Sequence, residues 1–521
     1  ANIIGRVTGG SASHIDGLLR SSVANANLYL INPKGVAFGA NARLDVSGAF
    51  HASTADYLKF ADGARFEAGN PGASNFTSAA PAAFGFLASA PAEISVNNTS
   101  LSVTPGKTLS LIGGDIRLDG AMLSAPSGRV NLASAAAAGE ISVEAAGIAA
   151  PSVSKFGAVT LSNTLIDTGS APGTAAGAIH IRGGRFVLEY STLKSANAAS
   201  AAGGPISAVL ADEIVIDGGA IYTGSLGKGD GGAIYLEAPA VTLDNGGFVN
   251  AFASGAGASG AITLKVSTLD VTNGASIKTV ALGLGAGGAV AIDAGERVTV
   301  SGSGSHIAGV TIAGGNAGDL NLKAPLVEVF DGAAIASDTG SGGSGGTVRI
   351  ETGALRLGRD GSITAINQGS GSGGTIDIAA GSIDISGGKA YEVGLPDATT
   401  GLTYFGYYSG LYVTSQSGAT GRGGQVRLNA DTLRIADGGT ISGITLGAGD
   451  AGNFDITVRS VNLESGGLIH TSTSGAGAAG SVRRPAPASA SSRPARRSSA
   501  CRSCQTRPRS TCEPIRCCPR P

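Results

Sequence analysis

The 521-residue sequence has no tryptophan, one methionine and no cysteine in its first 480 residues. A body without thiols forms neither disulfides nor thiolate metal sites, and it crosses an oxidising compartment unfolded without mispairing. Charge is scarce too, at 14 % of residues. No run of 18 apolar residues occurs, so no transmembrane segment is expected. The sequence starts at Ala1 without the charged and apolar regions of a signal peptide. The formal net charge of −1 hides an asymmetry. Ten of the 36 basic residues and one of the 37 acidic residues lie in 481–521, which leaves the first 480 near −10. That balance disfavours nucleic acid and anionic membranes as partners.

What the chain has is glycine, 85 of them, and short apolar-x-apolar triplets within a 42 % hydrophobic composition. That much apolar residue with so little net charge argues against disorder. One phrase recurs: a glycine, a small or polar residue, then a triplet. It begins at Gly177, Gly204, Gly232, Gly260, Gly288, Gly318, Gly346, Gly374, Gly424, Gly452 and Gly480, mostly 28 residues apart. Each period holds three strand candidates; in one copy they are Ile234–Leu236, Val241–Leu243 and Phe248–Ala251. Period-two alternation turns two residues of a triplet inward and one outward. One such unit cannot close a core, but stacked units bury a continuous one. The expected fold is therefore all-β, a right-handed parallel β-helix, or solenoid, of stacked three-strand coils. Gly-x-Gly-x-x-Gly occurs at 227–232, 255–260, 283–288, 369–374, 447–452 and 475–480. It precedes a strand and repeats, whereas a dinucleotide site would follow a strand and occur once, so it reads as a turn.

The interval from Gly374 to Gly424 is 50 residues, so a loop is inserted near 389–410. It carries Tyr391, Tyr404, Phe405, Tyr407 and Tyr408, a candidate contact loop. The alternative is that it packs down on the shaft as a lateral cap.

Before residue 150 the strands persist without the 28-residue period. The segment reads Ala26-Asn-Leu-Tyr-Leu-Ile-Asn-Pro-Lys-Gly-Val-Ala-Phe-Gly39, then Leu44-Asp-Val-Ser-Gly-Ala-Phe50, Ala82-Ala-Phe-Gly-Phe-Leu87 and Leu109-Ser-Leu-Ile-Gly-Gly-Asp-Ile116. This order of phrases, over residues 1 to about 145, resembles the filamentous haemagglutinin N-terminal domain, or two-partner secretion domain. The family's Asn-Pro-Asn-Gly-Ile motif aligns with Asn32, Pro33, Lys34, Gly35 and Val36, with Lys and Val as departures; its upstream Asn-Pro-Asn-Leu motif does not occur. The resemblance implies a β-helical domain that engages an outer-membrane transporter barrel. It also implies a secreted exoprotein that folds outside a Gram-negative cell or on its surface. On its own residues, Asn32-Pro33-Lys34-Gly35 is a turn, with Pro fixing φ and Gly allowing φ > 0.

Carbohydrate-active enzymes also use parallel β-helices, and they need paired carboxylates. Here acids occur singly beside glycine, as at Asp217, Asp331 and Asp437, and the five histidines (His14, His51, His180, His306, His470) share no spacing. The histidines read as outward strand or turn positions, and no catalytic, cofactor or metal site is expected. Residues 481–521 break the repeat with ten Arg, seven Pro and all five Cys, and they read as a disordered, frame-shifted tail without a zinc site. The resulting division is a partial secretion domain at 1–150, a shaft at 151–480 and the tail. The expected function is adhesion, or a surface scaffold, through a host or bacterial surface receptor, with carbohydrate among the candidates. The rivals are the stalk of a contact-dependent toxin or cytolysin, and a polysaccharide-active enzyme.

Overall fold

Alternating triplets separated by glycine turns fold into parallel strands that pair from one repeat to the next. The structure, a computed structural model, describes residues 1–87, 89–144, 146–340, 342–387 and 409–484. It is a parallel β-solenoid of about 16 turns, nearly all β, with one short 3-10 turn at Pro71–Ala73. The candidate contact loop and nearly all of the tail lie outside the described residues.

The three triplets of a coil lie on two strands. In one coil, Ile234–Asp244 carries the first two triplets round a corner and Phe248–Ala253 carries the third. The corner is marked by register shifts, as between Val266 and Thr268 against the next coil. The long strands stack in one sheet and the short ones in another. Register follows the repeat: Ile234 pairs with Ile262, Ile262 with Val290, and Val290 with Leu320. Inward residues of each coil, such as Ile262, Leu264, Leu269, Val271 and Ile277, are fully buried in one continuous core. After the insertion the coil resumes with Gly410–Tyr412 paired to Ser362–Thr364.

The recurring glycines have a specific job. A Cβ on Gly260 would lie closer than 3.0 Å to the carbonyl of Gly232, and one on Gly288 would meet Gly260 in the same way. The Asn-Gly turns differ, because there Asn245 and Gly246 both take positive φ, 51° and 73°.

One feature of the N-terminal region departs from the expected all-parallel solenoid. Arg65–Glu67, Tyr57–Phe60, Pro81–Phe86, Gly139–Glu144 and Gly147–Ala149 form an antiparallel five-stranded sheet. It closes over a second apolar cluster, including Tyr29, Leu58, Phe84, Phe86 and Ile141, distinct from the solenoid core. Its central strand Pro81–Phe86 joins two hairpins that lie apart in sequence, Tyr57–Glu67 and Gly139–Ala149, so no local period reveals it.

Two substitutions test the inward face and the coil spacing. Ile262→Asp, which buries an unpaired charge, is expected to lower the unfolding midpoint severely, whereas outward Thr263→Asp is mild. Gly260→Ala is expected to cost about 1–3 kcal/mol by overpacking against the adjacent coil. Equal midpoints for the Ile262 and Thr263 variants in thermal denaturation would contradict the assigned faces.

Candidate secretion-motif site

Asn32 follows the strand Asn27–Ile31 and is fully buried. Its Nδ2 donates to the carbonyl of Ser11 at 3.1 Å and to Ser13 Oγ at 2.9 Å. Its Oδ1 accepts from the backbone N–H of Lys34 at 2.9 Å, and its carbonyl accepts from Gly35 N–H at 3.0 Å. One side chain thus ties a turn to the preceding coil. Gly35 takes φ 119° with Ala12 and the Glu93 carbonyl crowding the place of a Cβ. Val36 is buried in the core and pairs with Ser13 on one side and Ile94 on the other. Pro33 is half-buried, and only Lys34 is exposed. Of the five motif residues, four serve the local fold and one presents a charge to solvent.

In the same N-terminal region, the antiparallel sheet gathers charges that the sequence pattern does not single out. Tyr57 Oη donates to Glu140 Oε1 at 2.8 Å, and Lys59 Nζ lies 2.8 Å from Glu140 Oε2. The Arg65 guanidinium sits 4.1 Å over the Tyr57 ring and 3.7 Å from Glu140. Burial works against the Glu140 carboxylate, but hydrogen bonds from Lys59 and Tyr57 outweigh it and hold its pKa below the usual value. Gly85 pairs with Tyr57, and a Cβ there would strike the ring. A glycine beneath an aromatic side chain on the partner strand is a cross-strand packing device. The legible signals were the alternation of Tyr57-Leu58-Lys59-Phe60 and the aperiodic Phe84-Gly85-Phe86.

The histidines need a correction. His51 points away from the solenoid core, as an outward position should, since its neighbours Phe50 and Ala52 fill that core. It is nevertheless buried, because the second apolar layer covers it. Its ring stacks on Tyr29 at 4.4 Å and lies 6.3 Å from Phe84. His180 and His306 are buried too, whereas His14 is exposed. Desolvation lowers the His51 pKa to about 4; His180 is also lowered to about 4, by burial first and then by Arg129. Among the described residues, no group of three or more His, Cys, Asp or Glu could hold a metal ion.

Two tests follow. Asn32→Ala leaves the Lys34 N–H without its acceptor and Ser13 without its donor, and is expected to cost about 1–3 kcal/mol; Lys34→Ala should leave stability within about 0.5 kcal/mol of wild type. Chemical denaturation of both variants reads this directly. The second test is pH. A histidine depressed to about 4 stays neutral in the folded state, while the unfolded chain takes up its proton below about 6.5. Stability therefore falls as pH drops from 6.5 towards 4, by about 2.5 kcal/mol per such histidine at pH 4.5. His51→Phe should flatten that fall; an unchanged slope in melts from pH 7 to 4.5 would remove His51 as its source.

Comparison with known proteins agrees with the N-terminal reading and extends it. Residues 1–181 match the family of the TPS secretion domain, beyond the expected limit near residue 145. A similar solved structure is the crystal structure of the HMW1 secretion domain from Haemophilus influenzae. It is 15 % identical over 92 % of this chain and 85 % of that chain, with a TM-score of 0.21, too low for any correspondence of parts. No curated protein matches the chain. No helix among the described residues is long and apolar enough to cross a membrane. Residues 1–181 thus carry a TPS secretion domain, and the chain continues from it as a parallel β-solenoid, consistent with a two-partner-secreted, filamentous haemagglutinin-like exoprotein.

Proposed function

We propose that the exported chain acts outside the cell as an adhesion filament, the secretion domain serving export through an outer-membrane transporter and the shaft serving contact. The observation that carries this is the shaft itself: an uninterrupted ladder from Ala178–Glu189 to Asn453–Leu463 that holds its outward side chains in fixed rows. A stacked rod of this kind projects binding surfaces far from its base. In this reading Lys34, the exposed residue of the Asn32 turn, is a contact for the transporter, and the tyrosines near 389–410 are a contact surface for a receptor.

The acids of the shaft support a structural rather than catalytic role. Several of them pair with basic residues one coil away, as Asp270 does with Arg297 at 2.9 Å, Glu328 with Arg356 at 3.1 Å and Asp331 with Arg359. A carboxylate engaged in this way is a poor general acid or base, which disfavours the polysaccharide-active rival.

The test uses the purified full chain immobilised on beads. Adherence to epithelial cells or to bacteria should exceed that of albumin-coated beads several-fold, and pectic and glucan polysaccharides should remain uncleaved. Absence of adherence to either cell type would overturn the reading, and release of reducing ends would move the shaft to the enzyme class.

A further inference from the structure

The outward charges of the long-strand sheet fall into two kinds. Several form ion pairs between neighbouring coils, as Arg349 does with Asp377 at 3.3 Å and Arg434 with Asp384 at 3.1 Å. One row does not. Glu237, Lys265, Asp293, Lys323 and Glu351 stand in successive coils, each paired in register with the next. The residues before them, Leu236, Leu264, Ile292, Leu322 and Ile350, belong to the core, so alternation turns the charged row outward. Glu237 accepts from Tyr235 Oη, and Lys265 Nζ lies 5.8 Å from the Tyr235 ring. Among the described residues none of the row forms an ion pair, and Lys265, Asp293, Lys323 and Glu351 are exposed. The ladder spaces these residues by about 4.8 Å, so the sign of charge reverses at every coil over about 19 Å of shaft.

A straight row of alternating charge is complementary to itself read backwards. A second copy can face it about a two-fold axis in either of two directions. With the axis along the shaft, each residue meets its own counterpart, Glu237 on Glu237 and Lys265 on Lys265, and every contact is repulsive. With the axis across the shaft, the copies run antiparallel. An axis through a coil still sets like on like, Asp293 on Asp293 and Lys265 on Lys323. An axis between the coils of Asp293 and Lys323 sets Asp293 on Lys323 and Lys265 on Glu351, each twice by symmetry. The adjacent row runs Tyr235, Thr263, Ala291, Asn321, Arg349 and Asp377 in register. The same axis brings Thr263 to Arg349 and Tyr235 to Asp377, again without a like-charge contact.

We infer that this row is a docking surface for a second copy of the chain, which lies antiparallel to the first with Asp293 of one copy against Lys323 of the other and Lys265 against Glu351. The inference is independent of the adhesion reading, since the partner is the chain itself. A contact of this length covers on the order of 400 Å² per copy, about half of what a stable complex buries. Exposed ion pairs contribute little singly and are screened by salt. Charge here sets the direction and register of docking, and the association is weak and salt-sensitive.

Sedimentation velocity of the full chain tests this. A concentration-dependent dimer is expected at about 20 mM salt, with affinity about tenfold or more lower at about 300 mM. Lys265→Glu with Lys323→Glu makes the row wholly acidic, and Asp293→Lys with Glu351→Lys makes four successive coils basic. Each double variant alone should stay monomeric, whereas an equimolar mixture of the two should dimerise at low salt. Zero-length carbodiimide cross-linking of the unaltered chain should join Lys265 to Glu351 in the dimer. Within one chain these residues lie three coils, about 14 Å, apart, so only a contact between antiparallel copies links them. If the variants do not fold, the cross-link decides alone. A monomer at low salt, a dimer that persists in both double variants, folded variants that fail to dimerise when mixed, or a dimer without the Lys265–Glu351 link would each overturn the inference.

Discussion

The structure depends on how closely one coil's backbone lies on the next at two columns of glycine. In the first, Gly232, Gly260, Gly288 and Gly318 each present a bare Cα to the carbonyl of the glycine before it. In the second, Gly257, Gly285, Gly315 and Gly343 repeat the contact. A methyl group at any of these positions would occupy the oxygen's place. Closeness here fixes the coil spacing, and coil spacing lets the strands on the other sides pair in register. Side chains then stack in rows, Ile on Ile and Val on Leu, so each coil buries its apolar pair against its neighbours. The glycines contribute little burial themselves; they set the distance at which the triplets can contribute theirs.

This explains what the sequence reveals and what it conceals. One coil is one period, so the repeat, the inward triplets and the turns are all local features and were legible. The fusion of two triplets into one bent strand, as in Ile234–Asp244, was not, because a corner of Glu-Ala-Pro-Ala reads as a break between strands. The antiparallel sheet was hidden for a different reason. Its partners, such as Tyr57 with Gly85 and Phe84 with Ile141, are joined by no repeat. Its consequences were hidden with it: His51 has the right direction for an exposed residue and becomes buried only because a second layer exists. Asp338 behaves similarly. It faces away from the core, yet it is fully buried, accepts from Ile366 N–H at 2.7 Å and has a pKa raised to about 6 by desolvation. For the Asn32 turn, pattern showed the turn residues, while the buried anchoring of the Asn32 amide needed coordinates.

A shaft of near-identical coils faces a problem that apolar pattern cannot solve, since Ile262 would sit as well on Val290 as on Leu320. Charge distinguishes them. Register places Glu237 beside Lys265, Lys265 beside Asp293, Asp293 beside Lys323 and Lys323 beside Glu351. Further along, Arg349, Asp377, Arg427, Asp455 and Arg483 alternate in the same manner, as do Glu328, Arg356, Asp384 and Arg434. Exposed pairs such as these add little stability, about 0–1 kcal/mol each. Skipping one coil is another matter, because it sets Arg349 on Arg427, Lys265 on Lys323 and Glu328 on Asp384. Several like-charge contacts at once penalise the slip, so the rows act mainly against wrong pairings.

The junction between secretion domain and shaft follows from the same stacking logic. The family match ends at residue 181, inside the strand Ala178–Glu189. That strand pairs along its first half with Arg129–Ala133 and along its second with Ala158–Ser162, two separate strands of the preceding segment. It then pairs along its length with Ile206–Asp217, the first coil laid wholly on the regular pattern. One strand therefore converts the short strands of the N-terminal region into the long bent strands of the shaft. There is no linker at this point to act as a hinge, since the hydrogen-bond ladder passes straight through it. A coil gains its pairing and burial from a neighbouring coil, and the secretion domain supplies such an edge with the register already set. Growth of the shaft from the N-terminal side is then the direction in which each new coil finds both its backbone partners and its charge partners in place.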